Sequence, residues 1–131
     1  MPRRGSARLP MKRSVSIAVA ALLTMAAGDP GSGRAIVVNR QVSACLLCHS
    51  GPFPDPHLQG NLAPMLTGVG SRLTAAELRQ RLTDPGQDSI MPSYTATAGL
   101  NRVGQPWVGK PVLTPRQIDD VVAFLSTLRA P

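Results

Sequence analysis

Cys45-Leu46-Leu47-Cys48-His49 is the stretch on which the reading of this 131-residue chain turns, because it holds both of the chain's cysteines. Two thiols three residues apart, followed at once by an imidazole, have four chemical readings. A redox-active C-x-x-C belongs in a βαβ pattern, and no segment here sustains the two-residue alternation of a strand. A zinc site wants four ligands. His57 with His49 would complete a Cys2His2 set, but His49 directly adjoins Cys48, which strains that geometry. A disulfide across two residues leaves His49 without a role. The fourth reading uses all three side chains: C-x-x-C-H is the attachment pattern of a c-type haem. Each thiol forms a thioether with one vinyl group of the same porphyrin edge, and the imidazole faces the iron as an axial ligand.

Such a haem either lacks a second axial ligand or takes one from elsewhere, and the candidates are His57, Met65 and Met91. Methionine is more often a gap-filler in a core than a ligand. Met91 is favoured because Ile90-Met91-Pro92-Ser93-Tyr94 lies in a proline-rich loop between two helices, from which a thioether can reach the opposite face. Met65, in Ala63-Pro64-Met65-Leu66, lies closer to the motif on the histidine side. A His/Met pair closes the iron, which favours electron transfer over chemistry at the metal and raises the potential relative to two histidines. The Pro64 carbonyl is expected to accept the other ring N–H of His49 and so to fix the ring. Arg72, Arg102 and Lys110 are either solvated charges or contacts for haem propionates or an acidic partner. Trp107 is expected to pack on the haem or the loop.

Outward from the motif the pattern is helical. Residues 32 to 40 form a short first helix, and residues 43 to 49 extend it or make a separate turn. Residues 50 to 71 carry Pro52, Pro54, Pro56, Gly60, Pro64, Gly68 and Gly70 and read as a long ordered loop. Thr74 to Leu82 is a helix with Thr74 and Glu77 as a capping box and Leu78 and Leu82 on one face. Residues 86 to 113 are again irregular. Thr114 to Arg129 is the strongest helix. Thr114 and Gln117 cap it, and Pro115 occupies the first position. Ile118, Val121, Val122, Leu125 and Leu128 form its apolar stripe, and Arg129 suits the dipole of its last turn. The class is all-α, helices with long loops.

The net charge of +7 misleads, since Arg3, Arg4, Arg8, Lys12 and Arg13 precede Ser14 and none of the seven acidic residues do. This basic stretch, the apolar run Val15 to Ala27 and the small residues Ala26, Ala27 and Gly28 read as a secretory signal peptide cleaved near residues 26 to 28. The run is well short of the roughly 20 residues a spanning helix needs, so no membrane span is expected. Met1 and Met11 both fit as the start. Residues 1–28 are thus the signal peptide and 29–131 the working domain, destined for the periplasm. No lysine- or arginine-rich run survives in 29–131, which argues against nucleic acid. With one Trp, one Tyr and two Phe the core is poor in aromatic area, and a buried porphyrin would supplement it.

The chain resembles the SoxX family, monohaem c-type cytochromes of the sulfur-oxidation (Sox) system. The resemblance rests on Gly33-Arg34-Ala35-Ile36-Val37-Val38-Asn39-Arg40, Cys45 to His49, Gln59-Gly60-Asn61-Leu62-Ala63-Pro64, Thr67-Gly68-Val69-Gly70 and Ile90 to Tyr94. It continues in Arg102-Val103-Gly104, in Gly109-Lys110-Pro111-Val112-Leu113-Thr114 and in Gln117 to Leu125. The long segment between Met91 and the last helix is what an ordinary small cytochrome c lacks. The resemblance implies a class I cytochrome c fold around one covalent haem c, with the terminal helices crossing. It implies Cys45 and Cys48 as thioether attachments and His49 and Met91 as axial ligands. It also implies a SoxA-like cytochrome subunit as partner, in a SoxAX complex that oxidatively couples thiosulfate to a cysteine of the SoxYZ carrier (an L-cysteine S-thiosulfotransferase). This chain would be the electron-accepting subunit, not catalytic alone, passing electrons to a small acceptor cytochrome. One departure is Thr95-Ala96-Thr97-Ala98 before Gly99-Leu100, where the family leads one to expect an Arg and an acidic residue. A free-standing soluble electron shuttle is the competing function.

Overall fold

The computed structural model describes residues 27–98 and 108–131. Most of the expected signal peptide, together with Arg102 and Trp107, lies outside the described residues. The order of elements is α1 (Pro30–Val38), α2 (Cys45–Cys48), a 3-10 turn (Pro56–Leu58), α3 (Val69–Arg72), α4 (Ala75–Thr83) and α5 (Pro115–Thr127). Among the described residues there is no strand.

Each helix boundary has a local cause. Helix α1 begins earlier than the expected residue 32, because the Asp29 carboxylate accepts the Ser32 N–H at 2.7 Å and Pro30 sits in the first turn. It stops at Val38 because Asn39 turns its side chain back onto the N–H groups of Gln41 (3.0 Å) and Val42 (3.2 Å). The Cys motif is therefore a separate helix and does not extend α1. Both capping boxes form, Thr74 with Glu77 on α4 and Thr114 with Gln117 on α5.

Two expectations need correction. Residues 50 to 71 are not all loop, since they contain the 3-10 turn and α3. Gly68 enters α3 at φ 70°, a left-handed conformation that glycine adopts without cost. Helix α5 ends at Thr127, so Arg129 lies beyond the last turn. The chain is drawn off there toward α3. The Leu128 carbonyl accepts the Gly70 N–H at 2.9 Å, and the Ala130 N–H donates to Ser71 Oγ at 2.9 Å.

The core lies where α1 crosses α5. Val37, Leu113, Ile118 and Val121 are its most buried side chains, and Leu78 and Leu82 of α4 join the same cluster. A Cβ on Gly33 would stand 1.9 Å from the Asp120 carbonyl oxygen and 2.8 Å from Phe124 Cβ. The helices meet, in effect, backbone to backbone. Buried Asp120 seals the junction, accepting the Asp29 N–H at 2.7 Å and pairing with the Arg116 guanidinium at 3.3 Å. Arg79 and Asp119 pair across α4 and α5 on the surface. From the long loop, Phe53 reaches Phe124 of α5 with ring centroids 6.2 Å apart.

Gly33→Ala should therefore cost about 1–3 kcal/mol or more by forcing α1 and α5 apart. Gly31→Ala, whose new methyl would meet only the Asp29 side chain at 3.4 Å, should be near neutral. Urea unfolding of the two variants checks this. The caps add a pH dependence. Hydrogen bonds from Ser32 and Thr74 hold the Asp29 and Glu77 carboxyls below their ordinary values of 3.8 and 4.5. Their contribution is complete above those values and is lost as pH falls through the lower folded ones. Stability should thus be level with respect to these groups above about pH 5 and decline below it. Glu77→Gln, a neutral cap like Gln117, should flatten part of the decline.

Candidate functional site

Helix α2 is a single turn holding both thiols, entered through Ala44 at φ 56°. A left-handed alanine costs about 1–2 kcal/mol, so the surroundings must hold it there. Ser43, buried just before it, provides that hold. Its hydroxyl donates to the Ile36 carbonyl at 2.8 Å and accepts the Cys45 N–H at 3.4 Å. His49 ends the turn with its N–H on the Cys45 carbonyl at 2.9 Å and then adopts extended backbone.

The following loop is laid alongside the motif by three backbone hydrogen bonds. The N–H groups of Gly60, Ala63 and Leu66 donate to the carbonyls of Leu46 (2.9 Å), Cys48 (3.0 Å) and Ser50 (2.8 Å). Gly60 is the tight point, since a Cβ there would lie 2.1 Å from the Leu47 carbonyl oxygen and 2.7 Å from Cys48 Cα. The excursion between is tied by Gln59. Its side chain accepts the Gly51 N–H at 2.7 Å and donates to the carbonyls of Phe53 (3.0 Å) and Pro54 (3.1 Å). Arg40 donates to the Leu58 carbonyl at 2.6 Å.

This arrangement brings the Pro64 carbonyl oxygen to 2.7 Å from His49 Nδ1. An Nδ1–H given to a carbonyl leaves Nε2 as the ring nitrogen with a free lone pair, the form a metal requires. Arg72 steadies the same loop, donating to the carbonyls of Met65 and Thr67 at 2.7 Å each. Its guanidinium is thus engaged by backbone, whereas Lys110 is exposed.

Cys45 and Cys48 are free thiols, both half-buried. Burial pushes the Cys45 thiol above its ordinary range. The hydroxyl of buried Tyr94 lies 4.0 Å from Cys45 Sγ and donates to the Ser43 carbonyl at 2.8 Å. The candidate second ligands separate by burial. Met91 is half-buried and packs against the core, Met65 is 57% exposed, and His57 is exposed on the 3-10 turn.

The residues fit an iron porphyrin. Two unlinked thiols, an imidazole with one nitrogen satisfied and the other free, and a half-buried thioether form the donor set it needs. Leu47 and Ile90, next in sequence to these donors, and Leu62 and Met65, on the loop that carries Pro64, expose large apolar side chains, the surroundings an apolar macrocycle wants. A zinc site is poorly served. Among the described residues no three of His, Cys, Asp and Glu gather to hold a metal ion. Sequence reasoning missed Ser43, Gly60 and Tyr94 as builders of the site. Gly60 and Tyr94 stand inside stretches singled out for the family resemblance, but their contacts join positions far apart in the chain.

No protein-family model matches the chain, and no curated protein matches it. Among solved structures the chain is similar to one in the crystal structure of SoxXA from P. pantotrophus. The two are 35% identical, the match covers 82% of this chain and 87% of that one, and the TM-score is 0.71.

Gly60→Ala should push the loop off the motif and cost about 1–3 kcal/mol. Amide exchange at Ala63 and Leu66, whose N–H groups donate to the Cys48 and Ser50 carbonyls, should quicken together if the loop moves as one piece. Unchanged exchange at both would show that the loop absorbs the methyl locally.

Proposed function

The chain belongs to the SoxX family, and from that premise we propose that it is the monohaem electron-transfer subunit of a SoxAX complex. Its fold is that of a class I cytochrome c, helical with α1 crossing α5. In this reading residues 1–28 are removed as a signal peptide, and the domain 29–131 works in the periplasm. No helix among the described residues is long and apolar enough to cross a membrane.

The observation that carries the reading is the His49–Pro64 hydrogen bond beside two free thiols. Cys45 and Cys48 would hold one haem c by thioether bonds. His49, its ring orientation set by Pro64, would offer Nε2 to the iron, and Met91 would offer its thioether. Bound there, the haem supplies a one-electron iron couple. A His/Met donor pair would suit electron transfer rather than the binding of oxygen or substrate. Within the complex the chain takes up electrons released when thiosulfate is oxidatively coupled to the SoxYZ carrier cysteine. The sulfur chemistry belongs to the SoxA-like partner, and a small cytochrome relieves this chain of its electrons.

Intact mass of protein made in a host that matures c-type cytochromes should exceed that of the polypeptide by one porphyrin. An unmodified chain would sink the reading. Met91→Ala should lower the midpoint potential and abolish the sulfur–iron absorption of the oxidised protein. Survival of both would remove Met91 from the iron. Co-purification with a SoxA-like chain distinguishes the subunit from a free shuttle, for which the isolated monomer would suffice.

A further inference from the structure

We infer that Tyr94 is a positioning residue that fastens the Met91 segment to the turn carrying Cys45, through the hydrogen bond from its hydroxyl to the Ser43 carbonyl. The inference rests on the reading of Met91 as an iron ligand and concerns what keeps it in place.

Met91 lies on an irregular segment between α4 and α5, and the residues just after it anchor that segment. Ser93 Oγ donates to the Thr83 carbonyl at the end of α4 at 2.6 Å and accepts the Ala96 N–H at 3.2 Å. The Tyr94 N–H donates to the Leu82 carbonyl at 2.9 Å, and its own carbonyl accepts the Leu113 N–H at 3.0 Å, just before α5. These bonds hold the segment to α4 and α5. They do not join it to the cysteine side of the molecule.

The Tyr94 side chain makes that join. Tyr94 is 6% exposed, and its hydroxyl gives its proton to the Ser43 carbonyl at 2.8 Å. Ser43 is itself fixed, through its hydroxyl, to Ile36 of α1 and to the Cys45 N–H. One phenol thus runs from a point three residues after Met91 to the residue two before Cys45. Without that proton, the buried Ser43 carbonyl loses its donor, and the register between the two halves of the site loosens. A phenylalanine would keep the packing and remove only this bond.

The test uses the haem-loaded, full-length protein. In Tyr94→Phe, imidazole added as a competing ligand should displace Met91 at roughly tenfold lower concentration than in the wild type, as one lost buried hydrogen bond implies. The sulfur–iron absorption should weaken and the midpoint potential fall, with haem content unchanged. A Tyr94→Phe protein with wild-type imidazole midpoint, absorption and potential overturns the inference, leaving the ring as packing alone. Should Tyr94→Phe fail to accumulate, the wild type serves instead: the hydroxyl proton of the chain's one tyrosine should exchange slowly with solvent while Met91 is bound and faster once imidazole has displaced it. Equal exchange in the two forms overturns the inference. A wild type whose oxidised form lacks the sulfur–iron absorption overturns the ligand reading and this inference together. A wild type that has it, beside an indifferent Tyr94→Phe, overturns this inference alone.

Discussion

The crossing of α1 over α5 at Gly33 is the constraint from which the rest of the molecule is hung. Packed helices usually stand 8–10 Å apart because side chains separate them. Here the Asp120 carbonyl occupies the space a Cβ at Gly33 would need. Asp120 also brings its carboxylate to the Asp29 N–H and the Arg116 side chain, so the junction is polar at its rim and apolar inside. The C-terminal end of α1 then fixes Ile36, whose carbonyl receives the Ser43 hydroxyl. The two cysteines are placed, through that bond, relative to the core.

With so few aromatic side chains, this chain orders its loops by another means. Polar side chains reach back to backbone carbonyls: Gln59 across residues 51–54, Arg40 to Leu58, and Arg72 to Met65 and Thr67. Prolines suit such loops because they limit the conformations of the unfolded chain and remove donors that would otherwise need partners. Among the described residues no buried side-chain nitrogen or oxygen lacks a partner. The consequence for function is rigidity where it counts, since the carbonyl that orients His49 belongs to one of these loops.

Much of this was legible without coordinates. The two capping boxes and the apolar stripe of α5 were readable because they depend on residues three and four apart, a distance the helix itself sets. The Cys motif was readable because two thiols and an imidazole stand at a fixed spacing within five residues. The ends of helices were less so. Asp29 reaching Ser32 started α1 early, and Gly70 drawing on Leu128 ended α5 before Arg129. The 3-10 turn and α3 were hidden within a run of prolines and glycines that reads as loop.

The chain of residues alone told which donors exist and in what spacing, as well as the helical class, because those follow from covalent connectivity and local hydrogen bonding. Three things belonged to the folded molecule: that Gly33 lets α1 meet α5 at Asp120, that Gly60 lets the loop close on Leu47, and that Tyr94 links the Met91 segment to Ser43. Each joins positions many residues apart. Such contacts form only when the packing of α1, α4 and α5 has already supplied the entropy cost of closing the loops between them.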